Sequence, residues 1–424
     1  MRVTKVLVIA HGHPDLSRGG GEQAAYDEFQ ALRQQPGVQA CLLARAPLAD
    51  GHGGTPFSVY REPGEYLFHS DMPDFFKLSQ PIKHMVWSGF RRFLEHFQPD
   101  VVHFHHYVLL GVELLSEVRR SLPKARILLT LHEFWAMCHR EGLMVRTQNK
   151  QLCEEATPRA CHQCFPEHSP EDFLLRNSFI KSHLAAVDEF ITPSEFLRQR
   201  YIRWGLPAER IHTLENGQTQ DLRPLAAAAN LPPTQLAHHF AFFGQINPWK
   251  GLDLLLEALS IVLERRPAGA PMPTLNVHGA RLDEQEPAVR KRIQNQLKAL
   301  HPHVQFHGAY RKADLPQLMQ SVGWVLVPSI WWENSPLVIQ EAFSLGRPVV
   351  AANIGGMLEK VRHDVDGLHF RARDAGSLAK VIEQALDDAS LWPRLCAGIR
   401  PVPQIQDQIQ QVLALALARA PAQS

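Results

Sequence analysis

A chain of 424 residues with 45% hydrophobic content can bury roughly two to three ordinary cores, which excludes a fibrous or disordered protein. Lys and Arg number 44 against 43 Asp and Glu, and a formal charge of +1 supplies no overall field for nucleic acid or anionic lipid. Any anion site must be local. No stretch reaches the ~18 apolar residues of a membrane helix, and the opening MRVTKVLVIAHGH has too short an apolar run for a signal peptide. A cytoplasmic protein is the expectation, a place at the inner face of the membrane included.

In chain order, KVLVIA, VQACLLA, DVVHFHH, RILLTLH and EFITPS read as buried strands, with helical stretches such as EQAAYDEFQALRQQ and SFIKSHLAAVD between them. A second series follows: FAFFGQI, TLNVHG, VQFHG, WVLVPS and RPVVAA, alternating with GLDLLLEALSIVLERR, KADLPQLMQSV and PLVIQEAFSLG. This is α/β arithmetic, and it predicts two doubly wound Rossmann-like domains, 1–219 and 220–400, whose ligands belong at the carboxyl ends of the strands. The Pro- and Ala-rich DLRPLAAAANLPPTQLAHH supplies the connection near residue 220. In the tail 401–424, Ile405, Ile409, Val412 and Leu413 recur at helical spacing, a stripe that packing back on the first domain would bury.

The chemistry-bearing motifs also come in order. HPDLSRGGGEQAAYDEF is a glycine loop between strand and helix where backbone can approach a ligand, although its spacing is not the dinucleotide G-x-G-x-x-G. A plain strand-to-helix turn is the alternative. The PIKHMVWSGFRRFLEHF stretch mixes basic and aromatic residues; a core helix with solvated arginines fits better than a membrane-surface helix. His103, His105 and His106 in VVHFHHY suggest buried or cleft-lining histidines ahead of a metal, since alternation leaves only two on one face. His132 ends the strand of TLHEFW.

Four of the six cysteines, Cys138, Cys153, Cys161 and Cys164, fall in an insert of about residues 138–168. One C-x-x-C pair with two further thiols is the composition of a structural zinc site; an oxidised or iron–sulfur cluster and unliganded thiols are the alternatives. In the second series, NPWKGLDLL places Lys250 just before a helix start, where amine and helix dipole can converge on one anion. WENSPLVIQEAF carries Glu333 in a loop and Glu341 on the following helix, with Asn334 or Ser335 able to cap and Pro336 in the first turn. Between the carboxylates lie the unpaired backbone N–H groups of a helix start, including those of Leu337 and Val338. A diphosphate held in the middle with polyols at both ends, as in a nucleotide sugar, suits that spacing; two solvated glutamates are the plainer alternative.

These motifs carry a resemblance over nearly the whole chain. GGGE, LHEFW, TPSEFLRQ, ENG, FFGQINPWKGLDLLLEA, VHG, VQFHGAY and above all ENSPLVIQEAFSLGRPVVAANIGGMLEKV resemble the GT-B retaining glycosyltransferases of the large group 1 or family 4 type, which serve bacterial glycan synthesis. The resemblance implies domains facing across a cleft, an acceptor side in the first and a nucleotide-sugar side in the second. It implies that Glu333 contacts the donor sugar, Glu341 the ribose and Lys250 the diphosphate, with His132 near the sugar and Gly20 and Gly21 near the donor phosphates and acceptor. Ser335 joins the helix-start site by position. The family's usual basic partner of the lysine is Gln245 here, so charge neutralisation rests more heavily on Lys250; separately, the residue after the histidine is Glu133 where Asp is usual.

The expected activity is retaining transfer of a hexose-type sugar from a nucleoside diphosphate donor, UDP or GDP, to a glycan or lipid-linked glycan, with no catalytic metal and no nucleic-acid partner. A degenerate nucleotide-sugar-binding protein, and behind it a GT-B epimerase or phosphorylase, are the other readings.

Overall fold

The computed structural model describes residues 3–17, 19–47, 56–61, 64–71, 74–80, 83–219 and 233–418. The chain divides into two units, Met1–Thr219 with Pro403–Ser424, and Gln220–Val402. Most of the Pro- and Ala-rich connection read from the sequence lies outside the described residues.

The first unit is built on strands β1 (Thr4–Ala10), β2 (Val38–Ala46), β3 (Phe57–Val59), β4 (Glu65–His69), β5 (Val101–Phe104), β6 (Arg126–Thr130), β7 (Glu189–Thr192) and β8 (Ile211–Thr213). They lie in the order β3-β4-β2-β1-β5-β6-β7-β8, and only the β3–β4 pairing is antiparallel. Val6, Leu7, Val8 and Ile9 are all buried, the continuous apolar run of a strand covered on both faces. Helices α1 (Gly20–Arg33), α2 (Lys83–Phe97), α3 (Glu113–Ser121), α4 (Pro158–Cys164), α5 (Pro170–Leu184) and α6 (Glu195–Trp204) cross between them. The basic and aromatic helix α2 buries Phe90 and Leu94, as a core helix does. Ser194 caps α6 by accepting from the Leu197 N–H, and Gly205 closes it in the left-handed region at φ +105°.

The second unit has six parallel strands, β9 (His239–Gln245), β10 (Thr274–Ala280), β11 (Val304–Gly308), β12 (Trp324–Val327), β13 (Val349–Ala352) and β14 (Gly367–Phe370). Their order is β11-β10-β9-β12-β13-β14. Helices α7 (Leu252–Arg265), α8 (Pro287–Ala299), α9 (Leu337–Ser344), α10 (Gly355–Lys360), α11 (Ala375–Asp387) and α12 (Leu391–Gly398) complete it. The stretch KADLPQLMQSV, read as one helix, is three short turns, Lys312–Asp314, Leu315–Leu318 and Met319–Ser321.

The final helix, α13 (Ile405–Leu417), belongs to the first unit. Its Ile405, Ile409, Val412 and Ala416 share one apolar cluster with Ala25, Phe29 and Leu32 of α1. The approach is held by backbone: Gln218 N–H donates to the Pro403 carbonyl at 2.8 Å and Ile405 N–H to the Gln218 carbonyl at 2.9 Å. Each sheet has a switch point, β1 between β2 and β5 and β9 between β10 and β12, where successive crossovers leave in opposite directions and open a crevice at the strands' carboxyl ends.

Candidate active site

At the β9/β12 switch of the second unit, the loop after β9 brings Lys250 to the loop after β12. Lys250 Nζ donates to Glu333 Oε1 at 2.6 Å, and the same oxygen accepts from Ser329 Oγ at 2.8 Å and Trp331 Nε1 at 2.8 Å. All three donors use Oε1 and none uses Oε2. Burial pushes the Glu333 carboxyl up, but Lys250 and the hydrogen bonds from Ser329 and Trp331 outweigh it and hold the group below the usual value. The side chain is therefore an oriented, ionised acceptor.

Two glycines make this loop possible. Gly251, at φ +72°, comes so close that a Cβ would stand 2.0 Å from the Pro328 carbonyl oxygen. Gly356 donates its N–H to the Glu333 carbonyl at 2.6 Å, and a Cβ there would meet the Asn334 carbonyl oxygen at 1.6 Å. Only hydrogen fits.

The loop leads into α9, and here the capping differs from the sequence expectation. Pro336, at φ −61° and ψ 117°, is the N-cap itself and no side chain caps the helix. Leu337 and Val338 are the first two helical residues, so their N–H groups, like the buried Ser335 Oγ, which has no hydrogen-bond partner among the described residues, stand ready for an anion. Glu341 sits four residues into α9, about 6 Å along its axis. It is buried and close enough to Tyr310 to help burial push that phenol's pKa up. Gln245 ends β9 at the same carboxyl edge.

In the first unit, the β1/β5 switch gathers histidines. His11 follows β1, His105 and His106 follow β5, and His132 follows β6. Gly20 and Gly21 begin α1, and a Cβ on Gly21 would lie 3.4 Å from the His11 ring and 3.8 Å from the His132 ring. His105 Nδ1 is 3.1 Å from His132 Nε2. His106 Nδ1 accepts from the N–H groups of Tyr107 and Val108 at 3.0 and 2.9 Å, which leaves its proton on Nε2, 2.9 Å from Glu133 Oε1. Burial first, with the neighbouring imidazoles, pushes His11 and His106 down to about 3 and His132 well below its ordinary value. Burial raises Glu133 to about 8. Tyr201 and Arg176 fix this edge: the phenol donates to the Glu133 carbonyl at 2.8 Å, and the buried guanidinium to the Trp135 and Ala136 carbonyls at 2.8 and 2.7 Å.

The four insert cysteines are neighbours, and the partly buried Cys161 thiol, pushed up to about 12 by desolvation first, feels Cys138, Cys153 and Cys164. Among the described residues no three of their sulfurs lie within 4.8 Å of one another, whereas a tetrahedral thiolate set needs S···S separations of ~3.8 Å. Among the described residues the group of three metal-ligating atoms lying within 4.8 Å of one another is Glu28, His103 and His105. That group is a hydrogen-bonded one, with His103 Nδ1 at 2.5 Å from Glu28 Oε1. Sequence reasoning passed over Glu28, although a carboxylate on the stripe of Ala24, Ala25, Phe29, Ala31 and Leu32 is a visible signal. It also passed over Ser329, Trp331 and Gly251, whose roles exist only once the two loops meet.

Residues 18–219 match Glycosyltransferase Family 4 and residues 237–388 match Glycosyl transferases group 1. The chain belongs to the group 1 glycosyltransferases. The D-inositol 3-phosphate glycosyltransferase of Jonesia denitrificans is 33% identical over 315 residues, covering 71% of this chain and 66% of that protein. The Salinispora arenicola enzyme of the same name is 32% identical over 312 residues, covering 71% and 64%. The chain thus spans about two thirds of the length of these curated relatives. Among solved structures, Anabaena Alr3699/HepE in complex with UDP superimposes with a TM-score of 0.65 at 18% identity, covering 97% of this chain and 100% of that one. Sucrose-phosphate synthase from Thermosynechococcus elongatus gives 0.69 at 19%, covering 98% and 96%. In this group 1 glycosyltransferase, as in these GT-B neighbours, the fold is two doubly wound α/β units.

Proposed function

We propose that the chain transfers a hexose-type sugar from a nucleoside diphosphate sugar to a glycan or lipid-linked glycan, with retention at the anomeric carbon. The observation that carries this is the Lys250–Glu333 pair at 2.6 Å beside the uncapped start of α9. A departing diphosphate needs positive potential, which Lys250 and the N–H groups of Leu337 and Val338 supply, with Ser335 Oγ as a further donor. Glu333 Oε2 then faces the sugar while Oε1 stays locked, and Glu341 accepts from the ribose hydroxyls. By the family resemblance, His132 is assigned to the sugar and Gly20 and Gly21 to the phosphates and acceptor. Gln245 adds a neutral hydrogen bond where a cation would otherwise stand. The chemistry needs no metal, because developing charge on the diphosphate is met by lysine and helix start. For the insert, the zinc reading of Cys138, Cys153, Cys161 and Cys164 rests on the four thiols being neighbours; metal analysis must return one zinc per chain.

The test is a thermal-shift panel of UDP, GDP, ADP and dTDP on the wild type and on Glu341→Ala. A nucleotide at 100 times its dissociation constant adds about 2.7 kcal/mol. UDP comes first, since the HepE neighbour holds it. Stabilisation of the wild type with loss in the variant is the expected result; no shift with any nucleotide would leave a chain that has kept the fold and lost the donor. Product anomeric configuration, read by NMR, decides retention.

A further inference from the structure

Helix α1 carries Glu28 among Ala25, Phe29 and Leu32, and all four are fully buried, a costly place for a carboxylate unless it is matched. Alternation along β5 puts His103 and the following His105 on one face, and both are buried as well. One ligand-capable atom from each of Glu28, His103 and His105 lies within 4.8 Å of the other two.

Hydrogen bonds account for only part of this group. His103 Nδ1 lies 2.5 Å from Glu28 Oε1 and His103 Nε2 lies 2.8 Å from Thr130 Oγ1, while His105 Nδ1 lies 3.1 Å from His132 Nε2. Glu28 Oε2 and His105 Nε2 are 3.1 Å apart, yet each is without a hydrogen-bond partner among the described residues. The separation is short enough for a bond, so direction is what fails. A buried carboxylate oxygen and a buried ring nitrogen left in this way call for a third body beside both.

We propose that Glu28, His103 and His105 bind a divalent transition-metal ion, zinc by the donor set, through Glu28 Oε2, His103 Nδ1 and His105 Nε2. The spacing separates a metal from a water. Zinc bonds of ~2.0–2.1 Å at the tetrahedral angle set ligand atoms ~3.3 Å apart, close to the 3.1 Å between Oε2 and Nε2. A water bonding both at ~2.8–2.9 Å with its own open angle would hold them ~4.5 Å apart. Two imidazoles and a carboxylate suit zinc, whereas magnesium and calcium take oxygen ligands.

The outer nitrogens are already held. With Nε2 on the ion, His105 keeps its proton on Nδ1 and donates it to His132 Nε2; with Nδ1 on the ion, His103 donates from Nε2 to Thr130 Oγ1. This is the usual outer support of metal-bound histidines. Binding displaces the proton between His103 Nδ1 and Glu28 Oε1, which leaves to solvent. All three side chains are buried, so the ion has a structural task, tying α1 to the end of β5. It stands apart from the insert cysteines and is independent of the transfer reading.

The first test is anomalous diffraction at the zinc edge from crystals of the full wild-type chain prepared with zinc. The expected result is a peak between the three side chains; zinc-replete crystals without a peak there overturn the proposal. The second is zinc content by mass spectrometry after desalting, run on Cys161→Ser/Cys164→Ser so that the insert thiols do not dominate the count. One zinc per chain should remain, and adding Glu28→Gln should weaken its binding about 100-fold or more, since loss of an outer partner alone costs about 10- to 100-fold. A folded cysteine variant that retains no zinc, or unchanged affinity with Glu28→Gln, overturns the site, and a peak in the crystal alone is then binding at crystal concentration only. Diffraction uses the wild type, so variants that fail to fold leave the decision with it.

Discussion

Replacing Lys250 by Met separates the structural work of the Lys250–Glu333 pair from its work on a ligand. At 2.6 Å and an effective dielectric of about 20, two unit charges attract by roughly 6 kcal/mol. Desolvation takes back much of this, and the lysine side chain is 29% exposed, so the net loss on removing it is about 2–3 kcal/mol. Nearly all of that loss is the charge left behind on buried Glu333, still bonded to Ser329 and Trp331.

Lys250→Met/Glu333→Gln should therefore recover to within about 1 kcal/mol of the wild type, since a neutral amide keeps an oxygen for both donors. Hydrogen exchange read by mass spectrometry over residues 324–341 follows this unit separately, where urea unfolding of a two-unit chain would blend transitions. UDP affinity should behave differently. It falls on the order of 10- to 100-fold in the single variant, the value of a charged hydrogen bond, and the double variant does not restore it. Additive stability effects, or full nucleotide affinity without the lysine, would refute the reasoning.

Gly356→Ala should lose about 3 kcal/mol and weaken nucleotide binding, because a Cβ 1.6 Å from the Asn334 carbonyl oxygen displaces the loop that carries Glu333; the same exchange and affinity measurements read it. Ile409→Ala, at a fully buried position, should destabilise the first unit by about 3 kcal/mol, seen as lost exchange protection in α1 against which α13 packs. Stability should fall early in acid. His11 and His106 are depressed to about 3 from an unfolded value near 6.5, so the unfolded chain binds their protons first and stability declines as pH drops through 6.5 toward 3. By pH 5.5 the two together remove about 2.5 kcal/mol relative to neutral pH; a first-unit stability flat between pH 7.5 and 5.5 would be the contrary result.

Much of the architecture could be read before any coordinates. Buried parallel strands are continuous apolar runs, KVLVIA and WVLVPS among them, and their alternation with helical patterns leaves few folds but the doubly wound one. The strands that escaped, β3, β4, β8 and β14, are three to five residues long and carry polar or charged residues, too little for a period to register. Pro336 also escaped placement, since its fixed φ suits an N-cap and a first turn alike.

The amino-acid sequence by itself determined that Glu333, Glu341 and Ser335 share one loop and helix, because that spacing is covalent and local. It could not determine that Lys250, 83 residues away, closes on Glu333 Oε1, nor that Glu28 on α1 reaches His103 and His105 after β2, β3, β4 and α2 have intervened. Those contacts depend on which strands lie beside which. Strand order is set by the burial of whole helix and sheet faces, a sum over many residues that no short motif encodes. The tertiary structure alone decided that Lys250, Ser329 and Trp331 converge on one oxygen of Glu333.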